Sequence, residues 1–180
     1  MQRVMPPPRD TMPASQRAVH DEIVAHLGGL SGPSGVWLHV PEMARRIAPV
    51  GVWLRKQGAL PDPTREIAIL VTAQFWKSEY EWYSHAKIAT EVGVPAGVID
   101  ALHQGARPPL QGAELVAWEV ARTLHDHHAI PDALYERALA ALGQPQLIEL
   151  VALCGYYTLV SMGLNAFRVA LPPGVPSQFA

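Results

Sequence analysis

The stretch "SEYEWYSHAKIA", residues 78–89, sets Glu81 one helical turn before His85, among aromatic residues. On a helix, side chains at i and i+4 are stacked neighbours. A carboxylate bonded to one imidazole nitrogen fixes the tautomer and favours the protonated ring. The other nitrogen is then free to transfer a proton. One turn of helix can thus carry an acid–base unit. The same spacing also describes an ordinary ion pair worth about 0.2–0.5 kcal/mol, and spacing alone favours that plainer reading.

A third residue changes the balance. Glu66 stands in "TREIAIL", on an otherwise apolar segment just upstream. A carboxylate on a buried helix needs a partner. If the two segments form an antiparallel helical hairpin, Glu66 approaches Glu81 and His85, and the three make a polar cluster within a core. A metal at Glu81 and His85 would have only Glu66 as a further ligand, so neither metal nor cofactor is expected.

Other groups have two readings each. "LHDHHA" holds His125, His127 and His128. Such a cluster can bind metal, but neighbouring side chains at a helix end point apart, so a solvated terminus is expected. His39, before a helix start in "WLHVPEMARR", either lines a pocket or caps the turn. Arg45 and Arg46 are suited to gripping a substrate carboxylate or to surface ion pairs. Tyr156, Tyr157 and Asn165 interrupt an apolar helix and either line a pocket or bond within the core. Trp76, Trp82 and Tyr83 are core or pocket wall.

These residues need helices to hold them. "SQRAVHDEIVAHLGG" repeats apolar residues at helical spacing and stops at Gly28-Gly29, followed by a "SGPSG" loop. "VPEMARRIAPVGVWLRKQGAL" is a second helical region with a break near Pro49. In "PDPTREIAILVTAQFW", Asp62 can cap and Pro63 suits the first helical position. That helix is apolar almost all round and must be buried. The 78–93 segment, "PAGVIDALHQG", "QGAELVAWEVARTLHDHHA" and "PDALYERALAALG" follow as further helices. The last, "QLIELVALCGYYTLVSMGLNAFRVAL", is uncharged from Leu150 to Ala166. That falls short of the ~20 residues a bilayer requires, and the run contains polar residues, so a core helix packed on another subunit is expected. No alternating strand pattern occurs. The chain is predicted to be a single all-α domain over 1–180 with about seven or eight helices, and with loose tails at about 1–14 and 173–180.

Composition narrows the function. The chain has 180 residues, 49% of them hydrophobic and 17% charged, with net charge −2. That is a globular composition with no electrostatic reason to bind nucleic acid or an anionic membrane. A single cysteine, Cys154, fits a reducing compartment, and the N-terminus lacks the apolar core of a secretory signal. A cytoplasmic location is expected.

The run from Glu66 through "YEWYSHAKIATEVGV" resembles the carboxymuconolactone decarboxylase family, which includes the alkylhydroperoxidase D-like proteins. The peroxidase branch has Glu, eleven residues, Cys, two, Cys, three, His. Glu66 and His85 take the outer positions without a gap, and the two cysteine positions fall on Ser78 and Glu81. The decarboxylase branch also lacks the dithiol and has an acid, an aromatic residue and then the histidine, as Glu81, Trp82 and His85 do. The segment "GYYTLVSMGLNAFRVALPPG" resembles the tail of longer members, and the likeness spans roughly residues 35–174.

The resemblance implies an alkylhydroperoxidase D-like helical bundle forming a homo-oligomer, a trimer or a hexamer. It implies a lyase that decarboxylates a small carboxylated lactone or oxo acid of aromatic-compound catabolism. His85 would transfer the proton, Glu81 would set its tautomer and Glu66 would polarise the pair. Arg45, Arg46, His39, Trp82, Tyr156 and Asn165 are the expected substrate-binding residues. Two alternatives stand beside this: the peroxiredoxin-type antioxidant activity associated with the family, and a subunit that binds a small acid without turnover. Dithiol peroxide reduction needs an attacking and a resolving thiol, which Ser78 and Glu81 cannot supply.

Overall fold

The computed structural model describes residues 1–27 and 32–179. The helices are α1 (Ala14–Leu27), α2 (Pro33–Trp37), α3 (Pro41–Lys56), α4 (Asp62–Phe75), α5 (Glu79–Glu91), α6 (Ala96–His103), α7 (Gly112–His127) and α8 (Asp132–Phe167). A 3-10 turn at Arg9–Thr11 precedes them. No strand occurs among the described residues, as the sequence pattern predicts.

Helix α4 is the centre of the bundle. Every residue from Thr64 to Gln74 is buried, which explains its apolar character on all sides. It packs against α5, α6, α7 and α8. Its start differs from expectation: Pro61 is the cap, Asp62 is the first helical residue, and Asp62 makes no cap bond. Instead its Oδ1 accepts from Arg65 Nη2 at 2.7 Å. Helix α3 runs unbroken through Pro49. The expected "SGPSG" loop is replaced from Pro33 onward by α2, because proline suits a first helical turn. The predicted stop at Gly28-Gly29 lies outside the described residues.

A second, smaller core gathers Val19, Ile23, Trp37, Leu38, Ala44, Ala48, Val160 and Leu164 from α1, α2, α3 and α8. Tyr156 packs against both cores. The polar residues considered below lie near this junction.

Helix α8 joins two of the predicted helices. Gly143, at φ 73° and ψ 163°, breaks the helical backbone between them. Glycine takes that positive φ without steric cost. By length and composition α8 is long and apolar enough to cross a membrane, with mean hydropathy 1.6 over its most apolar stretch. Half of that stretch is buried within the bundle, and α8 packs on α4 and α7. Ile148, Val151, Leu159 and Met162 remain exposed along it.

Both ends of the chain make contacts with the bundle. Arg3 donates from its backbone N–H to the Phe167 carbonyl at 2.9 Å and from Nη1 to the Ala166 carbonyl at 2.9 Å. These bonds satisfy carbonyls that the end of α8 leaves free. Met12 is buried in the smaller core. At the other end, Ser177 Oγ donates to the Glu79 carboxylate at 2.6 Å, and the Phe179 N–H does so at 3.2 Å. The Phe179 ring stacks on His103.

Candidate functional site

Two helices bring the chemistry together. Helix α4 supplies Glu66, and α5 supplies Glu81 and His85. Helices α4 and α5 pack against each other, the condition under which the sequence brings these three residues together. Glu66 is 1% exposed, and Glu81 and His85 are 5% exposed, so all three are withdrawn from bulk water.

His85 lies between two carboxyl groups. Its Nδ1 meets Glu66 Oε2 at 2.6 Å. Its Nε2 lies 3.3 Å from Glu81 Oε2. The second oxygen of Glu66 is 3.6 Å from Arg65 Nε. A carboxylate accepts and cannot donate, so the Glu66 contact puts the proton on Nδ1. The partner that orients the ring is therefore Glu66, where the i,i+4 spacing points to Glu81. Glu81 Oε2 is buried and lacks a hydrogen-bond partner among the described residues. Burial above all, with Glu66 adding to it, raises the Glu81 pKa; His85 and Arg55 pull the other way. Glu81 is thus biased toward the protonated, donating form.

The two carboxyl groups stand on opposite ring nitrogens. They cannot converge with one of those nitrogens on a single ion. No group of three or more His, Cys, Asp or Glu residues arranged to hold a metal occurs among the described residues.

A cavity of about 190 Å³ opens beside Glu81 and His85. Trp37, Ala48, Ile88 and Val160 give it apolar walls, and Arg55, Tyr80, Ser84, Tyr156 and Tyr157 give it polar groups. Tyr157 packs edge-on against the His85 ring, with centroids 5.0 Å apart. Its hydroxyl accepts from Arg55 Nη1 at 3.3 Å. Burial raises the pKa of both tyrosines.

Of the residues expected to bind substrate, Tyr156 lines this cavity. The others are elsewhere. Arg45 and Arg46 bind Glu42 at 3.0 and 2.6 Å on the exposed face of α3. Arg45 also borders a separate cleft of about 340 Å³ with Glu22, Pro49 and Trp53. His39 is exposed and bonds the Met5 carbonyl at 2.9 Å. Trp82 is buried against His103 and Phe179. Asn165 is exposed, and its Nδ2 donates to the Trp76 carbonyl at 2.7 Å. Each of these polar groups has a local partner that fixes it away from His85.

Arg55 is the arginine that reaches the cavity, and residue-by-residue reading passed over it. A signal existed. Ala44, Ala48 and Gly51 form the buried stripe of α3, and Arg55 continues it one turn on. His125 is a second surprise. It is buried, not solvated, stacks on Phe75 and meets Thr72 Oγ1 at 2.9 Å.

The positions that carry thiols in the peroxidase pattern hold no sulfur. Ser78 is fully buried with its hydroxyl unpartnered among the described residues, and Glu81 is the carboxyl group already described. Cys154 is buried on α8, and burial pushes its thiol pKa up to about 12.

Comparison with solved structures gives the same architecture. An alkylhydroperoxidase AhpD core protein from Ralstonia eutropha JMP134, described as uncharacterized and peroxidase-related, superposes with a TM-score of 0.78 at 16% identity. That match covers 99% of this chain and 94% of the other. A peroxidase-related protein from Silicibacter sp. TM1040 also gives 0.78, at 14% identity over 96% of this chain and 92% of its own. The debrominase Bmp8 gives 0.75 at 14% identity, covering 94% and 92%. No curated protein sequence matches significantly. The model of the Carboxymuconolactone decarboxylase family matches residues 41–123, the segment that carries Arg55, Glu66, Glu81 and His85. Over this segment the chain is similar to the Carboxymuconolactone decarboxylase family, and it carries no Cys-x-x-Cys pair there.

Proposed function

We propose that the protein is a lyase that decarboxylates a small carboxylated lactone or oxo acid of the kind met in aromatic-compound breakdown. The observation that carries this reading is the buried row Glu66–His85–Glu81 beside a small cavity. Loss of carbon dioxide breaks a carbon–carbon bond and leaves its electron pair on an enolate-like carbon. That carbon must take up one proton. His85, oriented by Glu66, and Glu81, biased toward its neutral form, are the groups placed to deliver it. Water then restores the proton.

Thiol-based peroxide reduction has less support, since the two thiol positions hold Ser78 and Glu81. A subunit that binds a small acid without turnover is the second reading, favoured by the limited cavity volume. Self-assembly, as a trimer or hexamer, is supported by the exposed apolar residues of α8. A cytoplasmic site of action is consistent with one unpaired cysteine.

The test is a screen of carboxylated lactones and oxo acids for carbon dioxide release by wild type, His85→Ala and Cys154→Ser. Turnover should vanish in the histidine variant and persist in the cysteine variant. Full turnover by His85→Ala would end the acid–base reading. Binding without carbon dioxide release would favour the second reading.

A further inference from the structure

We propose that Arg55, together with the hydroxyls of Tyr156 and Tyr157, forms a carboxylate-binding subsite on the α3 side of the cavity. This rests on the reading that the cavity is the ligand site and specifies how an acid sits in it. The ligand class is a small organic acid, held by its carboxylate with its apolar or carbonyl portion toward His85.

Charge pairing is the first support. Arg65, buried on α4, has Asp62 at 2.7 Å and Glu66 at 3.6 Å. Arg55 is half-buried, yet its guanidinium has no carboxylate within ion-pair distance among the described residues. It donates from Nη1 to the Tyr157 hydroxyl at 3.3 Å. A guanidinium offers five N–H donors in a planar fork that matches a carboxylate. A cation withdrawn from water without a counter-charge is costly, and an incoming carboxylate removes that cost.

The surroundings of Arg55 are the second support. Both tyrosines keep their protons, because burial disfavours the phenolate. Glu81, the nearby acid, is biased toward its neutral form. The α3 side of the cavity is therefore rich in donors and poor in negative charge.

Gly51 is the third support. A Cβ at this position would come within 2.2 Å of the Tyr156 hydroxyl and 2.5 Å of Cζ. Glycine within a helix costs about 1 kcal/mol relative to alanine. Here it lets the Tyr156 hydroxyl lie against α3, in the turn before Arg55. The volume limits the ligand. About 190 Å³ equals roughly six waters of liquid, which suits a small acid.

The experiment measures binding of levulinate and of methyl levulinate to the full chain by calorimetry and ligand-observed NMR. The ester removes the negative charge and adds one methyl group, so the comparison of wild type with Arg55→Gln isolates the charge. Levulinate should bind wild type at least about tenfold more tightly than the ester. Arg55→Gln should abolish that preference, and Arg55→Lys should retain part of it. Tyr156→Phe should weaken acid binding while keeping the preference. Circular dichroism establishes that each variant keeps its helix content. If Arg55→Gln fails to fold, Arg55→Lys and Tyr156→Phe decide. Equal affinity for acid and ester, undiminished preference in Arg55→Gln, or no levulinate binding to wild type would each overturn the proposal. Loss of decarboxylation in the screen, with acid binding intact, would count against the lyase reading alone.

Discussion

Glu66 and His85 meet at 2.6 Å between α4 and α5, although 19 residues separate them in sequence. The local partner, Glu81, is the more distant one at 3.3 Å. A long-range contact thus orients the imidazole, and the i,i+4 neighbour faces the cavity side. Two carboxyl groups in different surroundings on one histidine can divide the work, one holding the ring and the other exchanging a proton.

Glu66→Gln tests the orienting contact. The amide can still accept from Nδ1 but carries no charge to support an imidazolium. Turnover on an identified substrate should fall roughly 10²-fold, the scale of a general acid–base contribution. The ¹⁵N shifts of His85 should show a weaker preference for the Nδ1–H tautomer. Glu66→Ala leaves the buried ring unpartnered and should also cost about 3 kcal/mol of stability in urea unfolding. Unchanged tautomer and rate in Glu66→Gln would remove Glu66 from the mechanism.

Legibility from sequence followed the range of each interaction. Helix α4 was readable because its burial makes it apolar on every side, which a single segment displays. Glu66 and His85 were readable because a charge in such a segment demands a partner and the family spacing names one. Arg45 and Arg46 misled because residue type says nothing about which face of α3 meets the cavity. Their partner, Glu42, holds them at the surface. Arg55 lies on the same helix, and only the stripe of Ala44, Ala48 and Gly51 distinguishes it. The contacts of the tails were illegible for a related reason. Proline-rich segments look unstructured locally, but distant groups, the α8 carbonyls and Glu79, bind them.

Cys154 should be chemically silent. With its pKa pushed up to about 12, the thiolate fraction at pH 8 falls roughly 10³-fold below that of a free cysteine. Native protein should react with Ellman's reagent far more slowly than protein in denaturant. Cys154→Ser should leave turnover unchanged. Rapid labelling of the native thiol would show that α8 opens readily, or that the thiol is activated.

Gly51→Ala sets helix propensity against packing. Alanine favours the helix by about 1 kcal/mol, but its Cβ would come within 2.2 Å of the Tyr156 hydroxyl. Overpacking of this kind costs about 1–3 kcal/mol, so the variant should unfold at lower urea concentration. In a Tyr156→Leu background the clash is gone, and the same substitution should stabilise. The coupling between the two sites, read from a double-mutant cycle, isolates the contact. Additive effects would show that Tyr156 does not approach α3 as described.

Glu81 gives a pH signature in stability. Its folded pKa is raised by burial above the unfolded value of about 4.3. Below about pH 4 it is protonated in both states and contributes no pH dependence. As pH rises past the unfolded value, the unfolded chain releases this proton while the folded chain retains it. The unfolded state then binds fewer protons, so stability falls with pH, by at most about 1.4 kcal/mol per pH unit, until the folded group ionises. Glu81→Gln removes that penalty. Urea unfolding from pH 4 to 8 should show the variant gaining on wild type as pH rises, with the gap levelling once Glu81 ionises in the fold. Titrating groups that do not interact with Glu81 cancel in the difference, and repeating the pair in a His85→Gln background removes the coupling to the ring. Parallel stability curves across the range would mean that Glu81 ionises as readily in the fold as in water, and would withdraw it as the neutral proton donor.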